Sequence, residues 1–377
     1  MNSSTSSQEP RRAVVVSREE LKQSSVPFGS LEEAFGPSSL GIMIVKDLPS
    51  KFVELRHKLL SYASYLANLP TEELDALACP SAKYLSGWSH GKEALKNGSY
   101  DTLKGSFYVN CAFYQGSDVT VPPSSDFPEF TAPNVWPSPT SLPGFKETFQ
   151  ELCTLIIDTA ILVAQACDRY ALAHIEDYQP GYLEHVVKTS MCTKARLLHY
   201  FPPGPSSISG GETSVQEDPR ALNSSDHDSW CATHIDHGCL TGLTSAIFID
   251  ESEHSPKLPL YDHNKHLSDI PTLPFLESPP DPAAGLYIHA RDSTITKVSI
   301  PADCLAFQTG EALQVITGGK FRAVPHFVSI GRGSKEGKGV ARNTLAVFTQ
   351  PNLEGVIDRE KGTTFGEFSR EVVSRYG

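Results

Sequence analysis

Thr233-His234-Ile235-Asp236-His237-Gly238 is the stretch on which the reading of this chain turns. In an extended strand, side chains at i and i+2 share one face, roughly 6–7 Å apart along the chain. His234 and Asp236 therefore point the same way, and both can reach one metal ion. His237 follows Asp236 directly, points to the opposite face and is expected not to bind that ion. The motif is weak in isolation. In a chain with 13 histidines, a His-x-Asp arises by chance a little less than once, and a satisfied polar pair near a strand end is the competing reading. Cys231 and Cys239 flank the motif and read as core or near-site thiols, because thiolates suit other metals better.

A second histidine sits in Phe321-Arg322-Ala323-Val324-Pro325-His326-Phe327-Val328, inside an apolar strand. Alone, His326 reads as a buried structural histidine. Two histidines and one carboxylate, however, make the facial set for non-haem Fe(II), with positions left open for O2 and a co-substrate. Further on, Arg342-Asn343-Thr344 opens the last strand, and Arg342 and Thr344 share a face. An arginine fork plus a hydroxyl is a good receptor for a carboxylate. Arginines at strand entrances are common, so the order carries the argument: His-x-Asp, a histidine in a strand, Arg-x-Thr, then Phe348-Thr349-Gln350-Pro351.

Around these motifs the chain is β-rich from about Met191. Short runs appear at Ala195–Phe201, Leu240–Ile249, Gly285–His289, Ile295–Ile300, Cys304–Thr309, Leu313–Ile316, Phe321–Val328 and Thr344–Thr349. Such a series predicts a sandwich or jelly roll. Two polar insertions interrupt it, 202–229 and 251–283. The second holds His254, His263 and His266, which read as solvated loop residues, and its length suits a lid over a pocket.

Upstream, Ala13–Val16 predicts a short strand. Ser17 predicts a helix start, with Glu20 at the capping-box position. Gly41–Val45 predicts a buried strand, and Ser50 is expected to cap a long helix carrying Phe52, Leu55, Leu59 and Leu60 at helical spacing. Gly87–Glu93, with Trp88 and His90, reads either as a pocket-facing segment or as a structural turn. Residues 120–145 hold seven prolines and predict an irregular surface excursion. Phe145 to about His174 is the clearest helix, and Phe365–Tyr376 a closing one. Trp136 and Trp230 read as packing residues.

Length and composition bound the function. The 377 residues allow one large domain or two ordinary ones. Hydrophobic residues at 39% and charged residues at 20% describe a globular chain. Lys and Arg number 32 against 44 Asp and Glu, a net charge of −12, which argues against nucleic-acid binding and against docking on anionic membranes. The best apolar run, Leu155–Cys167, contains Asp158 and Gln165 and is too short to span a bilayer. The first 17 residues lack a signal-peptide core, so the cytosol is the expected address. The 8 cysteines form no Cys-x-x-Cys and are expected to be free thiols.

Taken in order, the motifs resemble those of the Fe(II)/2-oxoglutarate-dependent oxygenases, in particular the isopenicillin N synthase-like branch. That pattern is a His-x-Asp, a Gly-Asp/Glu-x-Leu-Gln followed by paired small residues, a His-x-Val, an Arg-x-Ser and a Phe-x-x-Pro. Here it is met by His234/Asp236, Gly310-Glu311-Ala312-Leu313-Gln314 with Gly318-Gly319, His326/Val328, Arg342/Thr344 and Phe348/Pro351. The strand Arg196–Pro203 is similar to the family's strand ending in Tyr-Pro, and Ile42–Pro49 to its early strand and loop. The resemblance covers roughly 12–370 and is dense in 190–352. Thr344 for serine keeps the hydroxyl, and Gly331–Gly339 reads as a lengthened hairpin loop.

The resemblance implies an α+β, mainly β fold: a double-stranded β-helix (jelly roll) with flanking helices. It divides the chain into a disordered tail (1–11), a helical and strand region packing on the core (12–190), the oxygenase core (191–352) and a C-terminal helix (353–377). It implies Fe(II) held by His234, Asp236 and His326. It implies 2-oxoglutarate chelating the iron through its keto-acid end, with its far carboxylate on Arg342 and Thr344. His199 and Tyr200 are expected beside the co-substrate, His199 standing where many relatives have asparagine. The implied reaction consumes O2, converts 2-oxoglutarate to succinate and CO2, and oxidises a small organic substrate, hydroxylation being the default. A monomer is the default assembly. Two rivals stand beside it: an iron oxidase of the isopenicillin N synthase type that needs no 2-oxoglutarate, and a non-catalytic jelly-roll binding protein.

Overall fold

The computed structural model describes residues 12–92, 100–116, 119, 121–202, 229–258, 270–292, 294–329 and 339–376. The expected tail 1–11, most of the insertion 202–229, His263, His266, most of the Gly331–Gly339 loop, and the side chains of Trp230 and Cys231 lie outside the described residues.

Two facing sheets form the centre. In chain order their strands are β1 (Val14–Ser17), β2 (Ile42–Lys46), β3 (Gly87–His90), β4 (Lys104–Asn110), β5 (Lys194–Tyr200), β6 (Ser229–His234) and β7 (Leu240–Thr244). They continue with β8 (Ile247–Asp250), β9 (Gly285–His289), β10 (Ile295–Val298), β11 (Leu305–Thr309), β12 (His326–Ser329) and β13 (Val340–Thr349). The large sheet runs β1-β2-β11-β7-β13-β5-β4-β3, with β8 also pairing β13; the small one runs β10-β9-β12-β6. This is the jelly-roll arrangement the motif order predicts. Four strands of the large sheet come from residues 12–190, so that region is part of the core as well as its cover.

Helices α1 (Arg18–Lys22), α2 (Phe28–Phe35), α3 (Lys51–Ala67), α4 (Thr71–Ala76), α5 (Pro128–Thr131), α6 (Phe145–His174) and α7 (Tyr182–Thr189) precede or follow the first five strands, α8 (Glu311–Ile316) follows β11, and α9 (Phe365–Tyr376) closes the chain. A two-stranded hairpin (Val356–Asp358 with Thr363–Thr364) stands before α9. At α1 the capping box forms: Ser17 Oγ accepts from the Glu20 amide at 3.1 Å, and the Glu20 carboxylate accepts from the Ser17 amide at 2.6 Å. At α3 the expected cap does not form, because Ser50 is itself in helical conformation and its side chain makes no cap bond.

Helix α6 is the spine. Its 30 residues span about 45 Å, and Phe149, Leu152, Ile156, Ala160 and Val163 are fully buried. They pack on the outer face of the large sheet beside α3. Gly242 in β7 marks how close this packing is: a Cβ there would stand 2.5 Å from Ile156 Cγ2. By length and composition α6 could cross a membrane, contrary to the sequence expectation, yet 61% of its most apolar stretch is buried inside the fold. Its hydropathy is that of a core helix.

Several boundaries differ from the sequence expectation for identifiable reasons. Leu240–Ile249 is two strands, because the Arg56 guanidinium takes the carbonyls of Ser245 (2.8 Å) and Ala246 (3.2 Å) and interrupts the ladder. Leu313–Ile316 is helical rather than extended. The first amides of α8 find acceptors in the loop after β6: Glu311 N–H bonds the Asp236 carbonyl at 2.8 Å, and Ala312 N–H the Gly238 carbonyl at 3.1 Å. Gly310 permits the approach, since a Cβ there would lie 2.3 Å from the Gly238 oxygen. Residues 120–145 are irregular but not confined to the surface: Phe130 and Leu142 are core residues. Gly87–His90 forms an edge strand whose Trp88 packs over Gly105, away from the cavity described next.

Candidate metal centre and cavity

A cavity of about 330 Å³ lies between the two sheets. Strand alternation decides what faces it. On β13, Arg342, Thr344, Ala346 and Phe348 line the cavity, while Ala341, Asn343, Leu345 and Val347 point into the helix layer. On β5 the lining residues are Arg196, Leu198 and Tyr200.

His234 ends β6, Asp236 follows in the loop held by α8, and His326 opens β12, directly opposite His234 in the ladder. The three offer ligand atoms that all lie within 4.8 Å of one another. His234 Nε2 is 3.7 Å and His326 Nε2 3.8 Å from the same Asp236 oxygen, Oδ1. One ion can bridge that spacing. His237 is not in this group; its Nδ1 pairs with Glu311 Oε2 at 2.8 Å. Cys239 is a fully buried core thiol.

Outer partners orient two of these three side chains. Thr241 Oγ1 donates to Asp236 Oδ2 at 2.6 Å, which leaves Oδ1 turned toward the histidines. Burial alone would raise the Asp236 pKa; His326, His234 and the Thr241 hydroxyl outweigh it, so the carboxyl sits below its ordinary value. His326 is only 6% exposed. Burial lowers its pKa to about 4, against the opposing pull of Asp236, so the imidazole is neutral at pH 7 and can ligate without first losing a proton. With Nε2 on a metal, Nδ1 must carry the proton and donate. Its neighbours are the Val324 carbonyl at 3.2 Å and the Gln308 amide at 2.8 Å. Gln308 is fully buried, and with its Nε2 toward His326 its Oε1 has no hydrogen-bond partner among the described residues. Turning the amide over presents Oε1 to the Nδ1 proton and removes that deficit.

Arg342, 6% exposed, borders the cavity with its guanidinium 4.9 Å from the Tyr200 ring, which stands opposite it in register. Thr344 lines the cavity one pleat nearer the histidines. Its hydroxyl donates to the Thr244 carbonyl at 3.2 Å and must rotate to serve a carboxylate.

His199 is not at the site. Adjacent strand residues face opposite ways, so Tyr200 and His199 cannot both border the cavity. His199 is 1% exposed in the helix layer, its Nδ1 2.8 Å from Asn343 Oδ1; Leu198 occupies the cavity-facing position beside Tyr200. Burial lowers the His199 pKa from 6.5 to about 4, with the Asn343 hydrogen bond opposing and nearby His90 assisting. Neutral His199 therefore makes no ion pair with the Glu251 carboxyl 3.9 Å away. Because its folded pKa lies below its unfolded one, the unfolded chain binds the extra proton. Stability present above about pH 6.5 is lost as pH falls toward 4, by on the order of 3 kcal/mol. His199→Gln is expected to flatten urea midpoints of the metal-free protein between pH 7 and 5, and to leave any 2-oxoglutarate binding intact. Loss of that binding would return His199 to the site.

Part of the insertion 251–283 reaches the cavity. Phe275, Leu276 and Glu277 border its mouth. This segment is strapped to α3: Tyr65 Oη donates to the Pro271 carbonyl at 3.1 Å, the Leu273 amide donates to Ser61 Oγ at 3.0 Å, and His57 packs its ring on Phe275. His254 is exposed and apart from the metal-ligand group.

The double-sheet core, with a His-Asp-His group inside it, is the fold of the 2-oxoglutarate/Fe(II) oxygenases. No protein-family model and no curated protein matches the chain. Among solved structures it is similar to a full-length Neurospora crassa protein in complex with α-ketoglutarate, at 15% identity and a TM-score of 0.64, covering 98% of each chain. It is similar to a putative 2OG-Fe(II) oxygenase family protein from Caulobacter crescentus, at 18% identity and a TM-score of 0.62, covering 97% of this chain and 99% of that one. JOX2 in complex with 2OG, Fe and JA matches at 12% identity and a TM-score of 0.60, covering 96% of this chain and 86% of that one.

Proposed function

We propose that the chain is an Fe(II)- and 2-oxoglutarate-dependent dioxygenase that hydroxylates a small organic molecule. The carrying observation is the convergence of His234, Asp236 and His326 at one end of a cavity whose other end holds Arg342 beside Tyr200. The donor set, two imidazoles and one carboxylate, fits Fe(II) with positions left open. The Neurospora crassa protein and JOX2, which share the fold, were solved with the co-substrate bound.

The residues divide the work. His234, Asp236 and His326 hold the metal, and Thr241 and Gln308 set the orientation of two of them. Arg342 receives the far carboxylate of 2-oxoglutarate, and Tyr200 supports the guanidinium from its face. Bound Fe(II) and 2-oxoglutarate supply oxidative decarboxylation to succinate and CO2, coupled to C–H oxidation.

An anaerobic optical titration tests this. Metal-free protein receives Fe(II), then 2-oxoglutarate, beside a His234→Ala control. The expected result is a visible charge-transfer band that needs both additions and is absent in the control. Iron binding without that band would favour the oxidase; no iron binding would favour a binding protein.

A further inference from the structure

We infer that Glu311 is a positioning residue for the metal centre: through His237 it holds the loop that presents Asp236, and so sets how long iron stays bound. This rests on the reading of His234, Asp236 and His326 as the metal ligands, and adds a residue that touches none of the three side chains.

The three ligands are not held alike. His234 and His326 stand opposite each other in the β6–β12 ladder, so the small sheet sets their spacing. Asp236 lies outside both strands, in the loop 235–239 that joins β6 to β7. Its Oδ2 is tied to Thr241, but the direction in which its backbone presents it must come from the loop.

The start of α8 closes over that loop. The amides of Gly310, Glu311 and Ala312 donate to the carbonyls of Cys239 at 2.9 Å, Asp236 at 2.8 Å and Gly238 at 3.1 Å. Glu311 adds a side-chain bond, its Oε2 standing 2.8 Å from His237 Nδ1. A carboxylate only accepts, so Nδ1 is the donor. The peptide that joins Asp236 to His237 is rigid and planar. Glu311 therefore grips it from both sides, its amide on the Asp236 carbonyl and its carboxylate on the His237 ring. One bond alone would leave the peptide free to swing about it; two fix its direction, and with it the direction of the Asp236 side chain.

The clasp faces away from the core. Asp236 is 5% exposed and turned to the histidines, whereas the His237 and Glu311 side chains keep 40% and 25% of their surface open. A half-exposed charge-assisted pair contributes little to the stability of the fold, and removing it opens no buried cavity. Its loss should therefore register at the metal and not in the folding equilibrium.

The test loads the full chain anaerobically with Fe(II) and chases it with excess ferrozine, whose coloured iron complex reports release. Loss of an outer partner of a metal ligand costs about 10–100-fold, and Glu311 acts one bond further out, so Glu311→Ala is expected to release iron about tenfold faster. Glu311→Gln keeps an acceptor oxygen for Nδ1 and should stay close to the unaltered rate. His237→Ala should match Glu311→Ala, and the double variant should be no faster than either, because both break the same bond. Urea midpoints of the metal-free proteins should coincide. The inference is overturned if Glu311→Ala releases iron at the unaltered rate, if Glu311→Gln is as fast as Glu311→Ala, or if the two single effects multiply in the double variant. It is equally overturned if the urea midpoint of Glu311→Ala falls, since the pair would then serve the fold. If the unaltered chain binds no Fe(II), the reading of the ligand group itself fails and this inference falls with it.

Discussion

Asp236→Ala is expected to lower Fe(II) affinity by more than about 100-fold and to reduce iron-dependent turnover to background. The magnitude follows from position. Loss of an outer partner of a metal ligand alone typically costs 10–100-fold, and Asp236 is proposed as a ligand itself, buried at 5% exposure between two imidazoles. It is also the only carboxylate in the three-residue group found among the described residues. Asp236→Asn separates shape from charge. It keeps an acceptor for the Thr241 hydroxyl but removes the anion, so weakened rather than absent metal binding is expected. Thr241→Val leaves the carboxylate in place without its tether and should cost about tenfold. Isothermal titration with Fe(II) under anaerobic conditions ranks the three, with circular dichroism as the check on folding. Full-strength iron binding by Asp236→Ala would remove it from the ligand set.

How far these roles were legible in the sequence depends on whether the signal was local. Helix α6 was readable because its apolar residues recur at helical spacing over eight turns. The gross face assignment of β13 was readable from alternation, which places Arg342 and Thr344 together. The same rule, applied to Arg196-Leu197-Leu198-His199-Tyr200, separates His199 from Tyr200; resemblance to an asparagine-bearing strand put His199 beside the co-substrate one residue out of phase. Arg196 was equally legible, lying four residues from Tyr200 on the same face. Other features were not local at all. Gln308 meets His326 because β11 of the large sheet faces β12 of the small one, and no spacing announces that. The helicity of α8 depends on carbonyls of residues 236 and 238, some seventy positions away. The break between β7 and β8 depends on Arg56 from α3. Each is a tertiary contact overriding a short β-like run.

Arg342→Ala is expected to weaken 2-oxoglutarate binding by roughly 30-fold to several thousand-fold, with Fe(II) affinity nearly unchanged. Truncating one partner of a buried, hydrogen-bonded charge pair costs about 2–5 kcal/mol, and each 1.4 kcal/mol is tenfold. Arg342 is buried to the degree that estimate requires. The separation from iron follows from the ladder. Arg342 pairs with Phe248 on β8, whereas Phe348, six residues along β13, pairs with the Thr241 that holds Asp236. Arg342 stands outside the three-residue ligand group, so truncating it leaves those three side chains in place. Arg342→Lys keeps the charge but loses the planar fork and the face-on contact with Tyr200, and should fall between the two. Thr344→Val should cost less than either, because the Thr344 hydroxyl is already engaged with the Thr244 carbonyl. The charge-transfer band, titrated with 2-oxoglutarate at saturating Fe(II), reads all three. An unchanged 2-oxoglutarate midpoint in Arg342→Ala would mean that the co-substrate carboxylate sits elsewhere. Arg196, another guanidinium on the cavity wall, would then be the residue to truncate next.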